Sequence, residues 1–210
     1  MNPLPRIVTA VHKRPGKGEY AIYVDGEHAA DLDEEAYLRL PLREGDLFDE
    51  EQVARVRAHV ALSRAKARAL RMLAARARTE AQVKERLLQL GFDPEIAGAA
   101  VAWLRSLGYL DDEAFARQWV RSRVEHRPMG ARRLALELRR QGVPPAIADE
   151  AAGGVTEAQE TEWAFALAKE RLARLGHLPR EKAMRRIYGL LERRGFAPRV
   201  ISRVMGRLFP

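Results

Sequence analysis

Three stretches of this 210-residue chain superpose without a gap when Gly91, Gly142 and Gly195 are placed on one another. They read "ERLLQLGFDPEIAGAAV" (85–101), "LELRRQGVPPAIADEAA" (136–152) and "GLLERRGFAPRVISRVM" (189–205), with spacings of 51 and 53 residues. Four residues before each glycine stands Leu87, Leu138 or Leu191, and eight before stands Val83, Leu134 or Ile187. Apolar residues four apart make one stripe along a helix. The glycine beyond the stripe permits the left-handed turn that closes a helix. Phe92, Val143 or Phe196 follows it and can cover the last turn. Pro94, Pro145 or Pro198 then stands where a new helix begins, a position at which its missing N–H costs nothing. Ile96, Ile147 or Val200 comes two residues later.

A further helix is expected before each block, at about 64–77, 112–126 and 156–175. The chain therefore reads as three tandem three-helix repeats, at residues 64–110, 111–154 and 155–210. A unit of this size buries little core alone, so neighbours should stack into an elongated array. The period is too long for tetratricopeptide repeats and exceeds that of armadillo-type units. Three helices joined by short turns also suit helix-turn-helix modules, which leaves DNA binding open.

Residues 1–48 read differently, as a small β-containing head ahead of a mainly α body. "RIVTAVHK", "EYAIYV" and "EHAADL" carry β-branched and aromatic residues, and Asp25-Gly26 between the last two is a two-residue hairpin signal. "PGKG" (15–18) lacks the spacing of a phosphate-binding loop and opens no helix, so it is a turn. "DEEAYLRL" is a short helix stopped at Pro41, and Asp49 with Gln52 has capping-box spacing. The helical pattern that begins there runs to about Arg78, roughly 42 Å at 1.5 Å per residue. A break near Ser63 would divide it into a connector (49–63) and the first helix of the repeats.

Charge is unevenly placed. Residues 1–60 carry 8 Lys and Arg against 12 Asp and Glu, net −4, and residues 61–210 carry 29 against 17, net +12. A basic body points to a polyanionic partner. The cations are 31 Arg and 6 Lys, and Arg suits planar contacts to phosphate and carboxylate. The absence of cysteine excludes disulfides, thiolate nucleophiles and cysteine metal sites, and fits a reducing cytoplasm. "MNPLPRIVTAVHKR" lacks the layout of a secretory leader, and no run is long and apolar enough for a membrane helix, so a cytoplasmic location is expected.

The acidic triplet Asp111-Asp112-Glu113 raises the question of catalysis. It precedes the stripe Phe115, Trp119, Val120, where carboxylates cap a helix and favour its positive end. The five histidines are scattered, no serine lies in a nucleophile motif, and no glycine-rich nucleotide fingerprint appears. No enzyme, metal or cofactor is expected. The contact candidates are basic: Arg121, Arg123 and Arg127; then Arg132, Arg133, Arg139 and Arg140; then Arg180, Lys182, Arg185, Arg186, Arg193 and Arg194. Stacked repeats would align such faces into one stripe. Trp103, Tyr109, Phe115, Trp119, Trp163 and Tyr188 have helical spacing and are read as core.

The succession "ALRMLAARARTEAQVKERLLQLGF" (69–92), "LGYLDDEAFARQWVRSR" (107–123) and "LALELRRQGV" (134–143) resembles the regulatory protein RecX family. Its signature falls on Gly108, Tyr109, Leu110, Asp111, Asp112, Phe115 and Ala116, read here as structural. The third repeat follows the pattern more loosely, and the head lies outside it. The resemblance implies a non-enzymatic modulator of the RecA recombinase, without cofactor, acting in recombination, DNA repair and the SOS response. Such proteins bind the RecA–single-stranded-DNA filament, in its groove or at its end, and inhibit ATP hydrolysis, strand exchange or extension. The partners implied are the filament and, weakly, single- and double-stranded DNA, for a protein expected to be monomeric. The alternative is a DNA-binding repeat protein acting without RecA.

Overall fold

The computed structural model describes residues 6–16, 18–40 and 42–210. The expectations placed on residues 1–5, Lys17 and Pro41 lie outside the described residues. Among the described residues four strands and ten helices follow in the order β1 (Arg6–Arg14), β2 (Glu19–Val24), β3 (Glu27–Asp33), α1 (Glu34–Arg39), β4 (Leu47–Phe48) and α2 (Glu50–Ala75). Then come α3 (Glu80–Gln89), α4 (Pro94–Ser106), α5 (Asp112–His126), α6 (Ala131–Arg140) and α7 (Pro145–Gly153). The chain ends with α8 (Glu157–Ala173), α9 (Arg180–Arg193) and α10 (Pro198–Leu208). It divides into two compact units: residues up to Arg76 with Val83–Tyr109, and Ala77–Gln82 with Leu110–Pro210.

In the first unit the strands form an antiparallel sheet in the order β3-β2-β1-β4. Asp25 and Gly26 join β2 to β3 with φ of 52° and 82°, the doubly positive geometry that a two-residue hairpin needs. Val8, Ile22, Val24 and Leu32 build a core closed by Ala36, Leu40, Leu42 and Phe48, and by Val56 from α2. Strand β4 is a two-residue pairing with Arg6 and Ile7 that the sequence does not signal.

Helix α2 is continuous for 26 residues, about 39 Å, and the break expected near Ser63 is absent. A mid-helix serine disturbs a helix when its hydroxyl competes for local backbone, but Ser63 donates instead to the Asp33 carboxylate. At its start Asp49 accepts the Gln52 N–H, 2.8 Å, while the Gln52 side chain does not return the bond. The cap is one-sided.

The repeat columns are realised three times. Val83, Leu87, Leu134, Leu138, Ile187 and Leu191 are all fully buried. Gly91, Gly142 and Gly195 take φ of 85°, 89° and 78°. In each turn the following residue's N–H reaches back to the buried leucine: Phe92 to Leu87, Val143 to Leu138, Phe196 to Leu191, at 3.1–3.3 Å. With the glycine N–H bonds to Leu88, Arg139 and Glu192, 2.9 Å each, these are double-bonded helix stops. Each of the three prolines starts the next helix.

The aromatic expectation holds in part: Phe115, Trp119 and Trp163 pack against the cores of the second and third repeats, and the two tyrosines do not. Tyr109 and Tyr188 are 59% and 44% exposed, and Trp103, Phe115, Trp119 and Trp163 are only half-buried. Alanines occupy the interior instead: Ala65 and Ala69 in α2, Ala97 and Ala100 in α4, Ala164 and Ala168 in α8. Small residues let helix backbones approach closely, and large rings are left at the edge of the core.

Candidate functional site

The stretch "GYLDDEAFA" begins with the last two residues of the first unit and continues into the second. Gly108, with φ 73°, closes α4, and the Tyr109 N–H returns to Leu104, 3.0 Å. Leu110 and Ala116 are buried. Asp111 is the cap of α5, accepting the Ala114 N–H at 2.8 Å. Asp112 does something the sequence reading missed. It is 8% exposed and accepts the Glu80 N–H, 3.0 Å, so it caps the start of α3 from another helix. Burial raises its pKa, the Asp111 charge adds to that, and the Glu80 N–H opposes it. Glu160, buried in α8, plays the same part for α6 by accepting the Ala131 N–H.

A second set of bonds repeats beside the first. The Thr79 hydroxyl donates to the Gln141 carbonyl, 2.8 Å, and the Gly130 N–H donates to the Arg194 carbonyl, 3.0 Å. Gln141 and Arg194 each immediately precede a turn glycine. A Cβ on Gly142 would stand 2.6 Å from Ala81 Cβ, and one on Gly195 would stand 2.5 Å from Arg133 Cβ; Gly91 has open space. One carboxylate and one glycine turn thus clasp the start of a preceding helix, twice. The pairing leaves no trace in the repeat columns, because Asp112 and Glu160 stand 30 and 35 residues before their glycines and no gap-free alignment superposes them.

The basic candidates separate into two classes. Arg123 and Arg133 both bind Glu137, at 2.6 and 3.0 Å, and Arg133 also donates to the Arg193 carbonyl. Burial pushes the Glu137 pKa up, but hydrogen bonds from both guanidinium groups outweigh it and the net shift is downward. Arg139 binds Asp149, Arg185 binds Glu181, and Arg180 reaches the Pro210 carbonyl and the Phe209 ring. Arg194 donates to the Pro128 carbonyl, and burial, then the neighbouring Arg127 and Arg133, lowers its pKa. By contrast Arg121, Arg127, Arg132, Arg140, Lys182, Arg186 and Arg193 are exposed and make no side-chain hydrogen bond or ion pair among the described residues.

Two of these free cations converge. Arg132 and Arg193 line a shallow groove of about 260 Å³ shared by the second and third repeats, together with Leu136 and Tyr188, each 44% exposed. An aromatic face and an apolar side chain flanked by unpaired guanidinium groups can hold a planar ring or an apolar side chain next to an anion.

The first unit holds a basic feature outside the basic runs of the second and third repeats. Arg57, Arg64, Arg68 and Arg71 on α2 are exposed and unpaired among the described residues. Their spacing of seven, four and three is a helix-face signal that could have been read directly. Among the described residues no group of three or more His, Asp or Glu could hold a metal ion, and no helix is long and apolar enough to cross a membrane.

Comparison with known proteins gives a consistent result. A family model described as the first three-helix domain of RecX matches residues 65–104, and one described as the second matches residues 111–151. A "Regulatory protein RecX" of Mycolicibacterium vanbaalenii is 41% identical over 138 residues, 63% of this chain and 75% of that one. Its namesake in Mycolicibacterium smegmatis is 36% identical over 162 residues, 75% of this chain and 85% of the relative. A crystal structure of regulatory protein RecX superposes with a TM-score of 0.83 at 25% identity, covering 95% of this chain and 98% of its own. RecX from Lactobacillus salivarius shares the fold, with a TM-score of 0.67 at 23% identity over 70% of this chain and 96% of its own.

Proposed function

The chain belongs to the RecX family of regulatory proteins, and from that premise we propose that it is a non-enzymatic regulator of the RecA recombinase. It binds the RecA–single-stranded-DNA filament and inhibits ATP hydrolysis, strand exchange or extension. The observation that carries this reading is the groove in the second unit, where unpaired Arg132 and Arg193 flank exposed Leu136 and Tyr188. Unpaired guanidinium groups are free to meet the phosphates or carboxylates of a filament, whereas Arg123, Arg133, Arg139 and Arg194 are already engaged. The contact surface is accordingly narrower than the basic runs suggest.

The test is single-stranded-DNA-dependent ATP hydrolysis by the cognate RecA, titrated with this protein. A progressive fall in rate up to equimolar protein is expected. An unchanged rate at severalfold excess would remove the reading. Tight, sequence-selective duplex binding beside an unchanged rate would favour a DNA-binding repeat protein acting without the recombinase.

A further inference from the structure

We propose that the first unit carries its own binding site for a single-stranded nucleic acid, a groove between strand β3 and helix α2 with Arg57, Arg64, Arg68 and Arg71 as its phosphate track. From Gln52 to Thr79 the chain has eight Lys and Arg and no Asp or Glu. At 100° per residue the four arginines fall within an arc of roughly 60° and extend about 21 Å along the helix. Beside them lies a groove of about 820 Å³, lined by Arg57 and Arg64, by the apolar Val60, Ala61 and Leu70, and by Trp103. Its other wall is β3, an edge strand of the sheet.

The balance of charge in this groove favours an anion although four carboxylates line it. Asp31 is bound by Arg14 and His28, each at 2.9 Å. Asp33 caps α1 and accepts the Ser63 hydroxyl. Glu35 binds Lys66 at 3.0 Å and Arg39 at 2.9 Å, and the hydrogen bond from Lys66 is the main reason its pKa lies below the usual range. Among the described residues only Glu19 of the four has no side-chain partner, against two unpaired arginines in the groove and two more along the same helix face. Lys66 also sits 4.8 Å from the centre of the Trp103 ring, which fixes the indole at the groove.

An apolar floor beneath an arginine rim distinguishes a single strand from a duplex. A single strand can turn unstacked bases towards Val60, Ala61, Leu70 and Trp103 while its phosphates follow the arginines. A duplex hides its base faces and would use the rim alone. The site is separate from the Arg132–Arg193 groove and does not require the recombinase, so it stands or falls without the filament reading.

The experiment measures binding of a labelled oligothymidylate to the full chain between about 50 and 200 mM salt, for the protein and for the combined Arg57→Ser, Arg64→Ser, Arg68→Ser and Arg71→Ser variant. Each phosphate contact on a single strand contributes about 0.7 to the slope of log affinity against log salt. Loss of four contacts should flatten the slope by about 2.8, so across this fourfold salt range the variant's affinity should fall roughly 50-fold less. Helicity should be unchanged, because all four side chains are exposed. In a Trp119→Phe, Trp163→Phe background the remaining emission comes from Trp103, and it should change as the strand binds. An unaltered slope, a silent Trp103 during binding, or the same change in Trp103 emission with a duplex of the same length would each overturn the proposal.

Discussion

Gly130 has an ordinary backbone, φ −72°, yet a Cβ there would stand 2.2 Å from the Gly195 carbonyl oxygen. Gly91 is the opposite case: its φ of 85° disfavours a side chain, but the space around it is open. Gly91→Ala should cost about 1–2 kcal/mol for the left-handed conformation alone. Gly130→Ala carries no such cost, and should still lose about 1–3 kcal/mol because two backbones must part. Gly195→Ala suffers both effects and should be the least stable of the three. Urea unfolding orders them; a Gly130→Ala protein as stable as the parent would show that the close approach is dispensable. Two carboxylates respond to pH in opposite senses. Glu137 is held below its ordinary 4.5, so it contributes stability above about that pH and loses it as pH falls through its folded value. Glu137→Gln should cost about 2 kcal/mol at neutral pH, from the weakened bonds to Arg123 and Arg133, and should flatten the acid limb of the stability curve. Asp112 is held above its ordinary 3.8, so its ionisation opposes folding as pH rises through the folded value. Asp112→Asn keeps an oxygen for the Glu80 N–H, and should be as stable as the parent or more so at neutral pH, measured by the same titration.

Helix α6 is where the basic run "RR…RR" divides. Arg132, Leu136 and Arg140 stand four apart and are exposed, whereas Arg133 and Arg139 are held by Glu137 and Asp149. Replacing Arg132, Arg140 and Arg193 with Ser should raise the amount needed for half-inhibition of RecA about tenfold, a loss near 1.4 kcal/mol, without lowering helicity. Arg133→Ser with Arg139→Ser should instead lower the unfolding midpoint. Equal inhibition by the first variant and the parent would place the contact elsewhere. The helices themselves were legible because a leucine column, a glycine and a proline recur at one spacing. The bond from Arg139 to Asp149 was not, because it crosses a turn and has no periodic signature. Nor was the placement of the tryptophans, since alanine contributes almost nothing to a hydrophobic pattern yet decides how near two helices come. Ser63 misled in the same way: its partner Asp33 is thirty residues distant. The arginine face of α2 is legible in the sequence, in the spacing of Arg57, Arg64, Arg68 and Arg71, although it lies outside the repeat columns.

At the scale of the whole molecule, the acidic head and the first repeat share one long helix. Val53, Val56 and Val60 in the first half of α2 pack on the sheet's core, while Ala65, Ala69 and Met72 in the second half are also buried, and α2 packs on α4. Removing residues 1–48 should therefore uncover an apolar strip. The shortened protein is expected to bind a hydrophobic dye and to lose amide-exchange protection over the first turns of α2, with the amides of α5–α10 still protected. Full protection of α2 in that protein would mean the head is a detachable attachment. The carboxylates that make the head acidic are largely committed within it, Asp25 to Arg6, Glu34 to Lys13, Asp31 to Arg14 and Glu35 to Arg39. The clasp of glycine turn and capping carboxylate has a consequence for how such a chain can be altered over time. Its anchors are mostly main-chain atoms: the carbonyls of Gln141 and Arg194, and the amides of Glu80, Gly130 and Ala131. Main-chain atoms survive almost any substitution. Repeats joined in this way behave as interchangeable parts, free to vary their outward surfaces so long as a glycine and one acid stay in place.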